Sequence, residues 1–167
     1  MNALLEEIRT LLVAGMSTTD INKYYVGSVS TNRIPKAHLP VICIYPDPGN
    51  STVLVSDQLG LQRDKWQYNI NIDVMVNVFE KVSSGGVEAD FILDAQKAVR
   101  TFIEDRDVNG VPKATSVLGV LRRNIKGTNY LFNNNIVVSY NESNEDNKLM
   151  MIGQVQLSAF TQLTNRS

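Results

Sequence analysis

The sequence predicts a single α+β domain, a mostly antiparallel twisted β-sheet with helices packed on one face. Three observations carry this expectation. The run WQYNINIDVMVNVFEK, residues 66–81, alternates apolar and polar side chains, the period of two that marks a strand with one buried face. Val87, Phe91, Ala95, Ala98, Val99, Phe102 and Ile103 recur near a period of 3.6, the apolar stripe of a helix. The order helix, strands, helix, strands, with short connections that imply hairpins, completes the pattern. A chain of 167 residues, 43% hydrophobic and 20% charged, can bury a core of its own, and one domain is the default.

Leu4, Leu5, Ile8, Leu11 and Leu12 oppose Glu6, Glu7 and Arg9, predicting a helix over 2–14 that stops at Gly15. Ser17, Thr18, Thr19 and Asp20 are N-cap candidates before INKYY, so one or two further helical turns are expected there, then a loop from 26 to 37. LPVICIY, residues 39–45, is short and β-branched and reads as a buried strand closed by the turn PDPGN. STVLV begins a hairpin arm whose return is QLGLQRDK. On the long strand that follows, Trp66, Tyr68, Ile70, Ile72, Val74, Val76 and Val78 share the core face, with Gln67, Asn69, Asn71, Asp73 and Asn77 opposite.

SSGG at 83–86 breaks the strand from a helix over 87–105, whose polar side holds Glu88, Asp90, Asp94, Lys97 and Arg100. DVNGVP, residues 107–112, is a turn or exposed finger. TSVLGVLRRN, NNIVVSYNE and LMMIGQVQLSAFTQL read as three more strands. In the last, Val155, Leu157 and Ala159 alternate with Gln154, Gln156 and Ser158, so the amide-rich face recurs. Long exposed loops are expected near 46–64, 106–115 and 141–148, the last containing NESNEDN.

Sixteen basic and seventeen acidic side chains give a formal charge of -1, which supplies no field for phosphate binding. The N-terminal segment carries charges that a signal peptide lacks, and no apolar run approaches the roughly 20 residues of a membrane helix. A soluble protein made in the cytoplasm is expected. The single cysteine, Cys43, reads as a core hydrophobe. His38 and Cys43 cannot build a zinc site of ordinary spacing, and no nucleophile elbow or Gly-rich phosphate loop is present. Asp90 and Asp94 stand on a solvated helix face. Arg122, Arg123 and Lys126, followed by Tyr130 and Phe132, read as a solvated strand end rather than a single-strand nucleic-acid platform. No catalytic, cofactor-binding or metal residue is assigned, and the chain is expected not to be an enzyme.

The amides invite a different reading. Asn and Gln can be desolvated against a partner at lower cost than charges, so the rows Gln67, Asn69, Asn71, Asp73, Asn77 and Gln154, Gln156 are candidates for a subunit interface or channel face. Asp47, Asn50, Asn109, Glu142, Glu145 and Asp146 are candidates for partner contacts on loops.

In order, LLEEIRTLL, LPVICIYPDPG, RDKWQYNINIDVMVNV and EADFILDAQKAVRTFIED followed by paired strands resembles the tail terminator, or tail completion, proteins of tailed bacteriophages, from Ala3 to about Leu163. The resemblance implies an antiparallel sheet with helices on one side and six copies in a ring at the head-proximal end of the tail tube. Such a ring ends tube growth, docks the head connector and passes DNA as cargo, with no cofactor and no membrane. Its place would be the head-tail junction of the virion. Three other readings stay open: a head-tail stopper or connector of the same junction, a small cytoplasmic enzyme with Asp47, Asp64 and Asp73 converged in a pocket, and an RNA-binding module with aromatics on its sheet.

Overall fold

The structure, a computed structural model, describes residues 1–27, 34–55, 65–78, 88–127, 130–133, 135–145 and 148–161. Its elements are α1 (Asn2–Gly15), β1 (Lys23–Val26), β2 (Val41–Pro46), β3 (Thr52–Val55), β4 (Lys65–Asn77), α2 (Glu88–Glu104), α3 (Val117–Arg123), β5 (Tyr130–Phe132), β6 (Val137–Glu145) and β7 (Lys148–Thr161). Residues 58–64 of the predicted QLGLQRDK return, Asp64 among them, and the SSGG break lie outside the described residues.

β4 and β7 form an antiparallel spine paired without a gap from Gln67↔Phe160 to Asn77↔Met150. Each then carries two short strands end to end on its outer edge. Along β4 these are β2, opposite Ile70 to Met75, and β3, opposite Lys65 to Tyr68. Along β7 they are β6, opposite Lys148 to Gln156, and β5, opposite Ala159 to Thr161. β1 extends the sheet beyond β2 as its one parallel pairing among the described strands.

All three helices pack on one face, and for α1 and α2 the periodicities predict it. Leu4, Leu5, Ile8 and Leu12 of α1, Ala95, Val99 and Ile103 of α2 and Val117, Val120 and Leu121 of α3 share one core with Ile70, Ile72 and Val74 of β4 and Val155, Leu157 and Ala159 of β7. Burying each large member contributes about 1.5 to 3 kcal/mol before entropy is subtracted. α2 crosses β7 at Gly153, where an added Cβ would fall 2.2 Å from Ile103 Cδ1 and 2.5 Å from Val99 Cγ1. The absent side chain lets the helix approach the strand.

Four expectations need correction. TSVLGVLRRN is not a strand: Val117 to Arg123 form α3, because Ser116 caps its start by accepting the Gly119 N–H at 3.1 Å. Its apolar residues fit both periods, and the cap decides between them. INKYY is not helical: Lys23 to Val26 pair with β2, since Tyr24 and Tyr25 put one ring on each face. NESNE is not a loop: residues 141–145 continue β6 and pair with β7 up to Glu145↔Lys148, so backbone bonding overrides a polar composition. Trp66, placed on the core face, is 46% exposed at the end of β4, opposite Leu54 of β3.

The finger at 107–112 is present and ordered by its own polar groups. Asp107 Oδ1 accepts the N–H groups of Asn109 and Val111, and Gly110 supplies a φ of 75°. No helix among the described residues is long and apolar enough to cross a membrane.

Candidate functional site

The face of the sheet opposite the helices holds both amide rows singled out from the sequence. Strand pairing places directly opposed residues on one side, so the register lays this face out in cross-strand rows. One row is Val41, Met75, Ile152 and Asn141; the next Cys43, Asp73, Gln154 and Ser139; the next Tyr45, Asn71, Gln156 and Val137. Asn69 then pairs with Ser158, and the last row runs Val53, Gln67, Phe160 and Leu131.

Three environments succeed one another down these rows. At the first end, Ile34 and Leu39 close over Val41, Cys43, Met75 and Met150 to form a second, smaller core. The covering segment, around a 3₁₀ turn at Lys36–His38, is tied down by Asn22, whose N–H and Nδ2 donate to the carbonyls of Pro40 and Leu39 at 2.9 and 2.7 Å. His38 meets the Tyr25 hydroxyl through its Nδ1.

The middle is a polar ladder internal to the chain. The Tyr45 hydroxyl donates to Asp73 Oδ2 at 2.7 Å, while Gln154 Nε2 lies 3.0 Å from Asp73 Oδ1 and 3.1 Å from Tyr45 Oη. Gln156 Nε2 donates to Gln154 Oε1 at 3.1 Å. Lower down, Asn69 Oδ1 accepts from Ser158 Oγ at 2.7 Å and Gln67 Nε2 at 2.9 Å, and Asn69 Nδ2 donates to the carbonyl of Asn50. The far end is apolar and open: Val53 is 39% exposed and Leu131 44%, beside half-buried Phe160, with Val137 of the neighbouring row at 59%.

This overturns the reading of the amide row as uniformly outward. Asn71 and Asp73 are 4% and 8% exposed and cannot meet a partner broadside. Gln67, Asn69, Asn77 and Gln154 are half-buried, and Gln156 alone of the seven is exposed. Of the loop candidates, Asn50 and Asn109 are exposed, and Asp47 is half-buried in its turn. Glu142 is exposed but stands on β6, as does Glu145, so neither is a loop residue. Asp146 lies outside the described residues.

Burial sets the electrostatics. It raises the Asp73 carboxyl above its ordinary range, against the opposing hydrogen bonds from Tyr45 and Gln154. Burial, helped by the Asp73 charge, pushes the Cys43 thiol up to about 12 and raises the Tyr45 hydroxyl further still. All three are held toward their protonated forms, which suits a packed scaffold and leaves no activated nucleophile among them. Asp73 does not line the cleft that Asp47 borders, so these two do not converge in one pocket. Among the described residues no group of three or more His, Cys, Asp or Glu side chains could hold a metal ion. Tyr130 and Phe132 are buried, so they do not present rings beside Arg122 and Arg123.

Sequence reasoning missed Tyr45, which supplies the ladder's hydroxyl, and the apolar residues Val53, Leu131 and Val137. Alternation within VICIY and YLF held the signal for Tyr45 and Leu131, but short runs rich in apolar residues hide which side is open. No family model matches the chain, and no curated protein does.

Proposed function

We propose that the chain is a structural virion subunit that assembles through the outer face of its sheet into a ring capping a phage tail tube. In this role it ends tube polymerisation and presents the docking surface for the head connector, with DNA passing through the channel. The observation that carries the reading is the open apolar end of that face. Val53, Phe160, Leu131 and Val137 adjoin amides whose hydrogen bonds are largely satisfied within the chain. Such a patch can be covered without stranding charges, since the rows from Gln67 to Asp73 contain no lysine or arginine. Wall residues of this kind also avoid gripping passing DNA by its phosphates. The α+β arrangement with helices on one side agrees with what the resemblance implies.

The partners in this reading are further copies of the chain, the tail tube protein and the head connector, and the place of action is the head-tail junction. Electron microscopy of particles made by the parent phage without this gene tests it. Headless tails of uncontrolled excess length are expected. Correct-length tails without heads would shift the role to the connector side of the junction, and normal virions would remove the proposal.

A further inference from the structure

A cleft of about 200 Å³ opens on the outer face, bordered by Asp47, Asn69, Asn71, Asn135, Gln156 and Ser158. The hydrogen-bond commitments of these side chains decide what it can receive. Asn69 Oδ1 is filled by Gln67 and Ser158, and its amino group gives one N–H to the carbonyl of Asn50. Gln156 gives one N–H to Gln154, and none of these bonds uses its Oε1. Asp47 Oδ1 accepts the N–H groups of Gly49 and Asn50 at 2.8 and 3.2 Å, and its second carboxylate oxygen is not used by that turn.

Asn71 is the informative member. It is 4% exposed, its amide donates to the Tyr45 hydroxyl, and the Tyr45 proton goes to Asp73. With the amide engaged there, Oδ1 is left buried without a hydrogen-bond partner among the described residues. A buried acceptor left unmet is costly, and in a native protein it asks for a donor.

The cleft thus offers acceptors from three separate elements, one of them carrying a negative charge. An anion is excluded by like charge. A hard divalent cation asks for more carboxylates than the single Asp47. A guanidinium prefers both oxygens of one carboxylate in a coplanar fork, and here one oxygen already serves two N–H groups. An ammonium, with three donors radiating from a compact charge, matches separated single acceptors. Val137, 59% exposed at the rim, gives its alkyl stem an apolar contact.

We propose that this cleft binds a primary alkylammonium group, with Asp47 supplying the charge and Asn71 Oδ1 the buried acceptor. The evidence for this site is the cleft itself, which shares Val137 with the open apolar end of the face.

The test is an NMR titration of the side-chain amides of Asn71 and Gln156 with butylammonium chloride, with butanol and potassium chloride as controls. Saturable shifts are expected with butylammonium, and binding at least about tenfold weaker with butanol. Asp47→Asn keeps the turn-forming acceptor and should weaken butylammonium binding by about tenfold or more. Asn71→Val should abolish binding while raising the thermal midpoint, because it deletes the unmet acceptor. Two sources share this chemistry: 1,4-diaminobutane binding more tightly than Nα-acetyl-lysine N-methylamide marks a free small amine, and the reverse order marks a lysine carried by a protein. No saturation with any amine would overturn the proposal, as would equal binding of butanol or of potassium ion, or an Asp47→Asn variant that binds unchanged.

Discussion

Asp73 is the residue whose chemistry departs furthest from what its place in the row suggested. Its carboxyl is buried between two neutral donors, and burial raises its pKa in the folded state. The unfolded chain therefore releases this proton first as the pH rises, and the stability the group contributes at low pH is lost between the unfolded and folded pKa values. Asp73→Asn should accordingly be more stable than the parent at pH 7, with the difference narrowing on acidification; urea unfolding of both proteins at several pH values measures it. A parent that is the more stable at neutral pH would show that the hydrogen bonds to the ionised carboxylate outweigh its burial. Cys43, 1% exposed with its thiol raised to about 12, should resist iodoacetamide in the native protein and react once urea unfolds it. The sequence placed both residues correctly within their strands. It did not tell that Asp73 is covered, because alternation reports the side a residue faces and says nothing of what lies over that side. The groups that meet its carboxyl, Tyr45 and Gln154, come from two other strands, which alternation along one strand cannot report.

At the scale of elements, the two long strands and the two long helices were legible because each repeats its period often enough to exclude the other period. α3 was not, since seven residues rich in Val and Leu satisfy either, and the deciding group is one buried hydroxyl. Ser116 both accepts the Gly119 N–H and donates to the Lys113 carbonyl at 2.9 Å. Ser116→Ala should cost about 1 to 2 kcal/mol in chemical denaturation. The contact of α2 with β7 makes a second prediction. Gly153→Ala would drive a methyl group into Ile103 and Val99 and should cost about 1 to 3 kcal/mol. Ile103→Val in the same chain should recover part of that loss, and a double-mutant cycle reads the coupling. Strict additivity of the two changes would mean that the strand moves away from the helix instead.

For the whole molecule, the fold class and the placing of the helices followed from the sequence, whereas the open end of the outer face did not, because its apolar residues are contributed by β3, β5, β6 and β7 and meet only through pairing. If that end is where copies join, Leu131→Glu combined with Val137→Glu should abolish self-association in sedimentation while moving the thermal midpoint little, since both side chains are already exposed. The spine itself has a bearing on biogenesis. β7 supplies the inner neighbour of β4, yet about 70 residues separate the end of one from the start of the other. At ordinary translation speeds that is roughly 4 to 14 s during which β4, fully made, lacks its central companion. The nascent chain can dock α2 or fold the β2–β4 hairpin in that interval, but its sheet closes only when residues 148–161 clear the ribosome. In the interim a bare, β-branched edge stands open to a neighbouring nascent chain or to a chaperone, so the yield of folded protein rests on how that wait is passed.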